Sequence, residues 1–340
     1  MTEPLGIGVI GAGRIANVHS SNLAKISQVR LVAVADVIEK AAKDLSRRYG
    51  MKSYTNYKRL LKRDDIDVVV ICTPNHLHAP IAIDAAEAGK HIFCEKPMAT
   101  TLQDAESMIV AATKARVKLT VGFMLRFTPP HPRIKEMVER GAMGSIVVMR
   151  ADAYGWPPAA QWSYEPDKGM GVLDVVIHHV DMFRWLGGRV DAVYAAGGAY
   201  VYENSKKCGT ADNAVILLKF RSGTTGDVYT SFSTGYGNLW MEIIGVKGSI
   251  YLNYLDRQSI TVFLKEAFQS DGSVMPAGWS YPDVVWEYGY RGEIEHFIKC
   301  IVEDKKPIVT GEDGRASLEI LLAAMKSMRT GEIVKLPLKA

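Results

Sequence analysis

Four residues near the middle of the chain combine acids and imidazoles at a spacing that could do chemistry. If the segment is helical, the pattern Asp174-x-x-x-His178-x-x-Asp181 puts three side chains on one face, and His179 points roughly the opposite way. A carboxylate beside an imidazole holds it in one tautomer, which is how a general base is oriented. The same residues could bind a metal ion, but no further ligand set stands out, so we expect no metal.

A second charged pair, Glu95 and Lys96, directly follows the apolar run from His91 to Cys94 and precedes Pro97. A buried strand ending there would deliver both side chains to the edge of a sheet. In an open α/β sheet, ligands gather at the carboxyl ends of the strands. The pair could instead form an ordinary surface ion pair, and position alone leaves both interpretations open.

A glycine-rich turn near the start of the chain, Gly11-x-Gly13-x-x-Ala16, has the pattern of a dinucleotide-binding fingerprint. Its first glycine permits a tight turn, its second lets a pyrophosphate approach the backbone, and its small third residue lets a helix pack against a strand. The phosphates would meet free backbone N–H groups at the start of that helix. The predicted contacts in this turn are Gly11, Gly13, Arg14 and Ile15.

The residues that flank this turn support the same interpretation. Leu5 to Ile10 is an apolar run typical of a buried strand. From Ile15 to Ile26 apolar residues recur at helical spacing, so we expect a helix with Ile15, Val18, Leu23 and Ile26 on its apolar side.

The acid that follows the second predicted strand decides which dinucleotide is expected. Asp36 comes directly after Arg30–Ala35, where the fingerprint places a carboxylate that accepts both ribose hydroxyls. A carboxylate there repels a 2′-phosphate, and the following Val37-Ile38 offers no arginine to bind one. The sequence therefore predicts NAD rather than NADP.

Another strand-like run, Val68 to Cys72, ends at the sequence Thr73-Pro74-Asn75-His76-Leu77-His78. Proline stops the strand, and a helix begins within the next few residues. This loop should lie at the same sheet edge as Glu95 and Lys96 and face the cofactor. The predicted cofactor contacts at this edge are Thr73, Pro74, Asn75, His78, Glu95 and Lys96.

Strands and helices alternate through residues 1–123, which predicts a doubly wound parallel sheet, a Rossmann domain that binds NAD. The pattern changes in residues 124–340, where six strand-like runs follow one another from Ala192 to Leu264 and indicate a largely antiparallel sheet. Late helices are predicted at Gly292–Glu303 and Gly314–Arg329. Between them and the strands, Phe268–Glu287 is an aromatic loop that could line a pocket or an interface.

Composition bounds the remaining possibilities. The 340 residues are 48% hydrophobic, enough for two sizeable cores, and the net charge of +4 is spread along the chain, so nucleic-acid binding is not indicated. The four cysteines match no zinc spacing and suggest reduced thiols. The chain shows neither a leader pattern nor an apolar run of membrane-spanning length. We therefore expect a cytoplasmic protein without a membrane partner.

In the order and spacing of these motifs, the chain resembles the glucose-fructose oxidoreductase / inositol dehydrogenase (Gfo/Idh/MocA) family over nearly its whole length. Each motif alone is modest, but together they are specific. The matching residues are Gly11-Ala12-Gly13-Arg14-Ile15-Ala16, Thr73-Pro74-Asn75 with His78, Glu95-Lys96-Pro97, Gly122-Phe123 with Arg126-Phe127, Asp174-x-x-x-His178-x-x-Asp181, and Pro307-Ile308-Val309-Thr310-Gly311-Glu312-Asp313-Gly314.

The resemblance implies an α/β class fold: a Rossmann domain over 1–123 and an α+β domain over 124–340 that binds substrate and carries subunit contacts on an open, largely antiparallel sheet. A homodimer or homotetramer through that sheet is expected. Lys96 is implied as the active-site lysine, with Asp174 and His178 as its partners, and the Lys96-Pro97 bond is expected to be cis. The predicted substrate contacts are Lys96, Arg126, Trp162, Asp174 and His178.

The activity implied is reversible hydride transfer between NAD and a secondary alcohol of a sugar, sugar derivative or cyclitol. His178 would take the hydroxyl proton while Lys96 stabilises the developing alkoxide. Lys96 could itself be the base, but an unperturbed imidazole is already largely neutral near pH 7, which favours His178. Trp162, near Trp156 and Tyr164, could stack on a sugar ring or belong to a core or interface.

Two other functions stay open at this point. Some members of such families use NAD transiently to cleave a glycosidic bond and return the hydride afterwards. A regulatory protein that binds nucleotide without turnover is also conceivable. That function predicts loss of Lys96, Asp174 and His178, and this chain keeps all three.

Overall fold

The computed structural model describes residues 3–234, 239–254, 260–270, 273–282 and 287–338. The chain forms two compact units. The first comprises Met1–Phe127 together with a returning segment, Gly289–Leu318; the second comprises Thr128–Tyr288 and Glu319–Ala340. The first unit thus contains the range 1–123 and also takes in residues from near the end of the chain.

In the first unit, the described residues form a six-stranded sheet in which every pair of neighbouring strands is parallel. The order β3-β2-β1-β4-β5-β6 is that of a Rossmann sheet. The strands are β1 (Leu5–Ile10), β2 (Val29–Ala35), β3 (Lys52–Tyr54), β4 (Val68–Ile71), β5 (His91–Cys94) and β6 (Leu119–Val121). The helices that follow them are α1 (Arg14–Leu23), α2 (Glu39–Tyr49), α3 (Tyr57–Leu61), α4 (His78–Glu87) and α5 (Leu102–Ala115).

Burial explains why these segments form central strands. All four residues of β4 are buried, as expected for an apolar, β-branched run covered on both faces of a parallel sheet. The core of this unit also includes Ile294, Phe297 and Ile298 from a late helix, which pack with Val9 and Phe93 of the sheet. The returning segment is therefore part of this core.

The helix after the glycine turn differs from the prediction in the face that it buries. Its fully buried residues are Ala16, His19, Ser20 and Leu23, whereas Ile15 and Val18 are only half-buried. Leu23 and Ile26 of the predicted stripe are buried, but two of the buried positions are polar, so hydrophobic spacing identified only part of the inner face. The helix also ends at Leu23, three residues before the predicted end.

The second unit is built on a sheet with nine strands among the described residues, in the order β16-β13-β12-β11-β7-β10-β9-β8-β17. All its pairs are antiparallel except β7 with β10, so the predicted fold class, an α/β Rossmann domain followed by a largely antiparallel α+β domain, is confirmed. The nine strands are β7 (Ile146–Tyr154), β8 (Val190–Gly198), β9 (Asn213–Phe220), β10 (Thr225–Ser231), β11 (Trp240–Gly245), β12 (Gly248–Asn253), β13 (Ile260–Leu264), β16 (Gly278–Ser280) and β17 (Val334–Lys335). Two further strands, β14 (Phe268–Ser270) and β15 (Ser273–Met275), form a separate antiparallel pair.

The helices of the rest of the chain are α6 (His131–Glu139), α7 (Leu173–Gly187), α8 (Glu203–Cys208), α9 (Tyr290–Val302) and α10 (Gly311–Thr330). The short α8 interrupts what the sequence presented as consecutive strands, and α10 begins three residues before the predicted Gly314. The region predicted as an aromatic loop contains β14, β15 and β16; Trp279 lies in β16, and Trp286 lies outside the described residues.

Among the residues that the structure describes, no helix combines the length and apolar character needed to cross a bilayer. All four cysteines are free thiols, and Cys72, Cys94 and Cys300 are buried.

Candidate active site

The carboxyl ends of four neighbouring strands carry the predicted cofactor residues to one edge of the first unit. Gly11 follows β1, Asp36 follows β2, the Thr73 loop follows β4, and Glu95 follows β5. The strand order reverses direction between β1 and β4, and such a switch point is where dinucleotides bind in doubly wound sheets.

The two glycines of the turn are required for different reasons. Gly11 has φ +95°, and a Cβ there would lie 2.5 Å from the carbonyl oxygen of Cys72, so the fold itself demands glycine. Gly13, the N-cap of α1, has an ordinary φ of −76°, and a Cβ there would meet no atom within 4 Å. The open space above the N-terminus of α1 fits a pyrophosphate. Arg14 is exposed and Ile15 half-buried beside it.

Asp36 is held by two backbone donors. Its Oδ2 accepts a hydrogen bond from the Ala12 N–H (2.7 Å), and its Oδ1 accepts one from the Ile38 N–H (2.8 Å). The side chain is half-buried, and each carboxylate oxygen can accept a second hydrogen bond. The carboxylate therefore fits the two ribose hydroxyls of NAD.

His78 connects the loop after β4 to the turn after β5. Its ring is fully buried, with Nε2 2.8 Å from the Thr73 carbonyl oxygen and Nδ1 2.8 Å from the Pro97 carbonyl oxygen. Asn75, in a short 3₁₀ turn after Pro74, is also buried. The structure thus places His78 between the two loops.

The side chain of Glu95 is buried, which excludes the simple surface ion pair with Lys96. Its Oε1 lies 2.6 Å from Nε2 of His19, and its Oε2 accepts a hydrogen bond from the Lys96 N–H (3.1 Å). Burial acts to raise the pKa of Glu95, but the hydrogen bond and charge of His19, with the charge of Lys96, outweigh it and lower that pKa. Lys96 is half-buried, and the Lys96-Pro97 bond is cis, as the resemblance implied.

Sequence reasoning missed two residues beside Glu95. His19 lies on the buried side of α1, and Glu293 lies on α9 with only 3% of its surface exposed. His19 follows Ala16 by three residues, so helical spacing from the fingerprint could have placed it on the inner face. No local signal identifies Glu293.

In the second unit, Asp174 and His178 lie four residues apart in α7, Asp174 in the first turn, and both are half-buried. Asp181, expected on the same face, is buried, with 1% of its surface exposed. His179 is also buried; burial, reinforced by His131, lowers its pKa to about 4. The half-buried pair, Asp174 and His178, thus contains one carboxylate and one imidazole.

The two remaining predicted substrate residues differ in their surroundings. Arg126 is buried and anchored within the first unit: its guanidinium donates to the Ile308 carbonyl (2.9 Å) and pairs with Asp313 (3.2 Å). Asp313 also accepts from the Thr310 N–H, so Arg126 supports the loop that opens α10. Trp162 lies half-buried in a 3₁₀ turn of the second unit.

A parallel sheet in Rossmann order, an open glycine turn and an acid after the second strand define an NAD-binding oxidoreductase domain. Models of the Gfo/Idh/MocA oxidoreductase family match both parts of the chain: the NAD-binding Rossmann fold over residues 5–123 and the C-terminal α/β domain over residues 135–336. The chain belongs to this family, which confirms the resemblance.

Relatives of known name cover almost the whole chain. The chain is 33% identical to myo-inositol 2-dehydrogenase of Thermotoga maritima over 97% of its own length and 98% of the relative. It is 30% identical to scyllo-inositol 2-dehydrogenase (NAD(+)) of Bacillus subtilis, over 100% and 98%. A solved structure of levoglucosan dehydrogenase with NADH and L-sorbose superposes with a TM-score of 0.85 at 28% identity, covering 99% and 100%.

Proposed function

We propose that this protein is an NAD-dependent dehydrogenase that reversibly oxidises a secondary alcohol of a cyclitol, sugar or sugar derivative. The observation that carries the proposal is the position of Lys96 directly after β5, on the same sheet edge as the open turn at Gly13. The names of the relatives, which are inositol and levoglucosan dehydrogenases, support the substrate class.

Three side chains carry the proposed chemistry. His178 accepts the proton of the substrate hydroxyl, and Asp174, one helical turn earlier, orients its imidazole. Lys96 donates a hydrogen bond to the same oxygen and stabilises the alkoxide charge as it develops. Bound NAD⁺ supplies the hydride acceptor, C4 of its nicotinamide.

The proposed cofactor contacts are those of the sheet edge. Gly11 forms the tight turn, and the backbone N–H groups at the start of α1, after Gly13, hold the pyrophosphate, with Arg14 and Ile15 beside it. Asp36 accepts the ribose hydroxyls. The Thr73-Pro74-Asn75 loop, supported by His78, and the Glu95–Lys96 turn complete the site. Arg126 and Trp162 stay predicted substrate contacts.

We also propose a homodimer or homotetramer formed through the sheet of the second unit. Along β9 exposed and buried residues alternate, and two of the three exposed positions, Val215 and Leu217, are apolar, while the third is Lys219. Neighbouring strands extend this face, with Arg150 paired to Asp227 at its centre (3.0 Å). The exposed apolar residues are Val147, Tyr194, Val215, Leu217 and Tyr251. Such a face is typical of a subunit contact.

A cytoplasmic location is proposed from the cysteines. Three of the four free thiols, Cys72, Cys94 and Cys300, are buried in the first unit, and a reducing compartment keeps such thiols from forming disulfides.

The test is a screen of the purified protein against inositols, levoglucosan and other polyols, with NAD⁺ and NADP⁺ in parallel, reading absorbance of the reduced cofactor. We expect turnover of at least one cyclitol or sugar with a clear preference for NAD⁺. A preference for NADP⁺ would refute the role of Asp36. Cleavage of a glycoside without net NADH would replace the dehydrogenase with a glycosidase.

A further inference from the structure

Three ionisable side chains meet inside the first unit, beneath the Lys96 turn. They are His19 of α1, Glu95 after β5, and Glu293 of α9, with 0%, 7% and 3% of their surfaces exposed. One nitrogen or oxygen of each lies within 4.8 Å of those of the other two. The rings of Phe93 and Tyr290 pack edge-on against His19, at 5.0 and 5.8 Å between ring centroids.

We propose that Glu293 is a neutral carboxylic acid in the folded protein, and that His19, Glu95 and Glu293 form a buried cluster that positions the Lys96 turn. The protonation of Glu293 concerns the folded chain alone. The positioning role rests on the proposed function, because the cluster acts through Lys96.

The hydrogen bonds decide which of the two acids holds the proton. Both carboxylate oxygens of Glu95 accept hydrogen bonds, one from His19 and one from the Lys96 N–H. Neither oxygen of Glu293 has a hydrogen-bond partner among the described residues. An ionised carboxylate buried without donors is strongly disfavoured, and a second negative charge beside Glu95 disfavours it further. The proton therefore resides on Glu293.

The groups facing Glu293 from the neighbouring elements agree with this assignment. Burial, followed by the charge of Glu95, raises the pKa of Glu293 well above its ordinary value. The Cys72 thiol at the end of β4 interacts with both acids, and burial raises its own pKa well above the ordinary value. His19 already faces Glu95, and Lys96 acts on Glu95 through its charge.

Glu95 transmits the geometry of the cluster to Lys96. Its carboxylate is fixed by His19 on one side and by the Lys96 N–H on the other. A Cβ at Gly122 would lie 3.2 Å from its Oε1, so the strand end packs closely against it. His19 and Glu95 are therefore positioning residues for Lys96, the residue proposed to contact substrate, and Glu293 completes the buried cluster around Glu95.

The protonation of Glu293 in the folded state is tested by denaturant unfolding of the wild type and of Glu293→Gln between pH 5 and pH 7. The unfolded chain releases this proton above the ordinary pKa of glutamic acid, while the folded protein keeps it. Relative to the variant, the unfolding equilibrium constant of the wild type should therefore rise by about tenfold per pH unit. Parallel curves would show that Glu293 is ionised and would overturn the proposal. Glu295→Gln, on the exposed side of α9, is the matched control and should follow the wild type.

An infrared measurement keeps the test decisive even if the variant does not fold. The wild type at pH 7 should show the carbonyl band of a protonated carboxylic acid. Absence of this band would overturn the assignment. Metal analysis after dialysis against chelator gives a further check. One retained metal ion per chain would require an ionised Glu293 and would make these residues a metal site instead.

The positioning role is tested by kinetics of His19 variants with the NAD⁺ and polyol pair found in the screen. His19→Gln keeps a donor for Glu95 and should keep kcat near the wild-type value, whereas His19→Ala should lose about tenfold in kcat. The Kd for NADH should change far less in both. Equal kcat values in the two variants would refute positioning. An enzyme inactive on every polyol would refute the proposed function and leave the proton result standing.

Discussion

Replacing each glycine of the cofactor turn by alanine should separate folding from cofactor binding. Gly13→Ala adds a methyl group where the protein has no atom within 4 Å, so it should weaken NAD binding and leave the fold intact. Gly11→Ala places a Cβ 2.5 Å from the Cys72 carbonyl oxygen at a φ of +95°, so it should destabilise the fold itself. The same substitution two residues apart is expected to have opposite consequences.

The magnitudes follow from the backbone at each position. At Gly11 the left-handed conformation costs an alanine about 1–2 kcal/mol, and relief of the overlap adds about 1–3 kcal/mol. At Gly13 the lower entropy of the unfolded alanine chain stabilises by about 0.4–1 kcal/mol, and the poorer N-cap offsets a similar amount. The free energy of unfolding of Gly13→Ala should therefore stay within about 0.5 kcal/mol of the wild type.

Two measurements on the same preparations check this reasoning. Urea unfolding without cofactor gives the free energy of unfolding, and quenching of protein fluorescence by NADH gives its Kd. For Gly13→Ala we expect the Kd to rise by at least about tenfold, equivalent to about 1.4 kcal/mol. If Gly13→Ala binds NADH as the wild type does, the open space above α1 is not the pyrophosphate site. If Gly11→Ala is as stable as the wild type, the inference that a Cβ at Gly11 would clash with the Cys72 carbonyl oxygen is refuted.

Three further substitutions address the chemistry, the pH dependence and the assembly. Lys96→Ala should lose at least about a hundredfold in kcat while the Kd for NADH stays measurable; full activity would remove Lys96 from the mechanism. The pKa of His179 is about 4 in the folded protein against an ordinary 6.5, so the folded state disfavours its protonation. Its protonation in the unfolded chain should therefore lower the free energy of unfolding of the wild type by about 3 kcal/mol as pH falls from 6.5 to 4. His179→Phe should lack that loss in urea titrations at pH 7 and pH 4, and an unchanged pH slope would contradict the assignment. Leu217→Lys, at an exposed position of β9, should yield monomers in light scattering with the fold retained, whereas an unaltered oligomer would exclude this face.

Patterns that repeat within a few residues predicted most of the fold. Strands β1, β4 and β5 were recognisable because each is a short apolar run followed by a turn, and the Asp174–His178 spacing was readable because four residues make about one helical turn. The inner face of α1 was only partly recognised, because two of its inward positions are His19 and Ser20, whose burial depends on contacts distant in sequence.

By itself the sequence determined the family, the two kinds of sheet, the glycine turn and the preference for NAD, since these depend on local periodicity, φ requirements and charge. Only the tertiary structure decided the partners of the buried charges. His19 and Glu95 are 76 residues apart, and Arg126 lies 187 residues before Asp313, yet each pair is in contact. The Arg126–Asp313 pair forms when the returning segment Gly289–Leu318 joins the first unit, whereas His19 and Glu95 meet within residues 1–127 of the same unit. Its side chains then share a low-dielectric interior, in which each buried charge needs a partner or a proton.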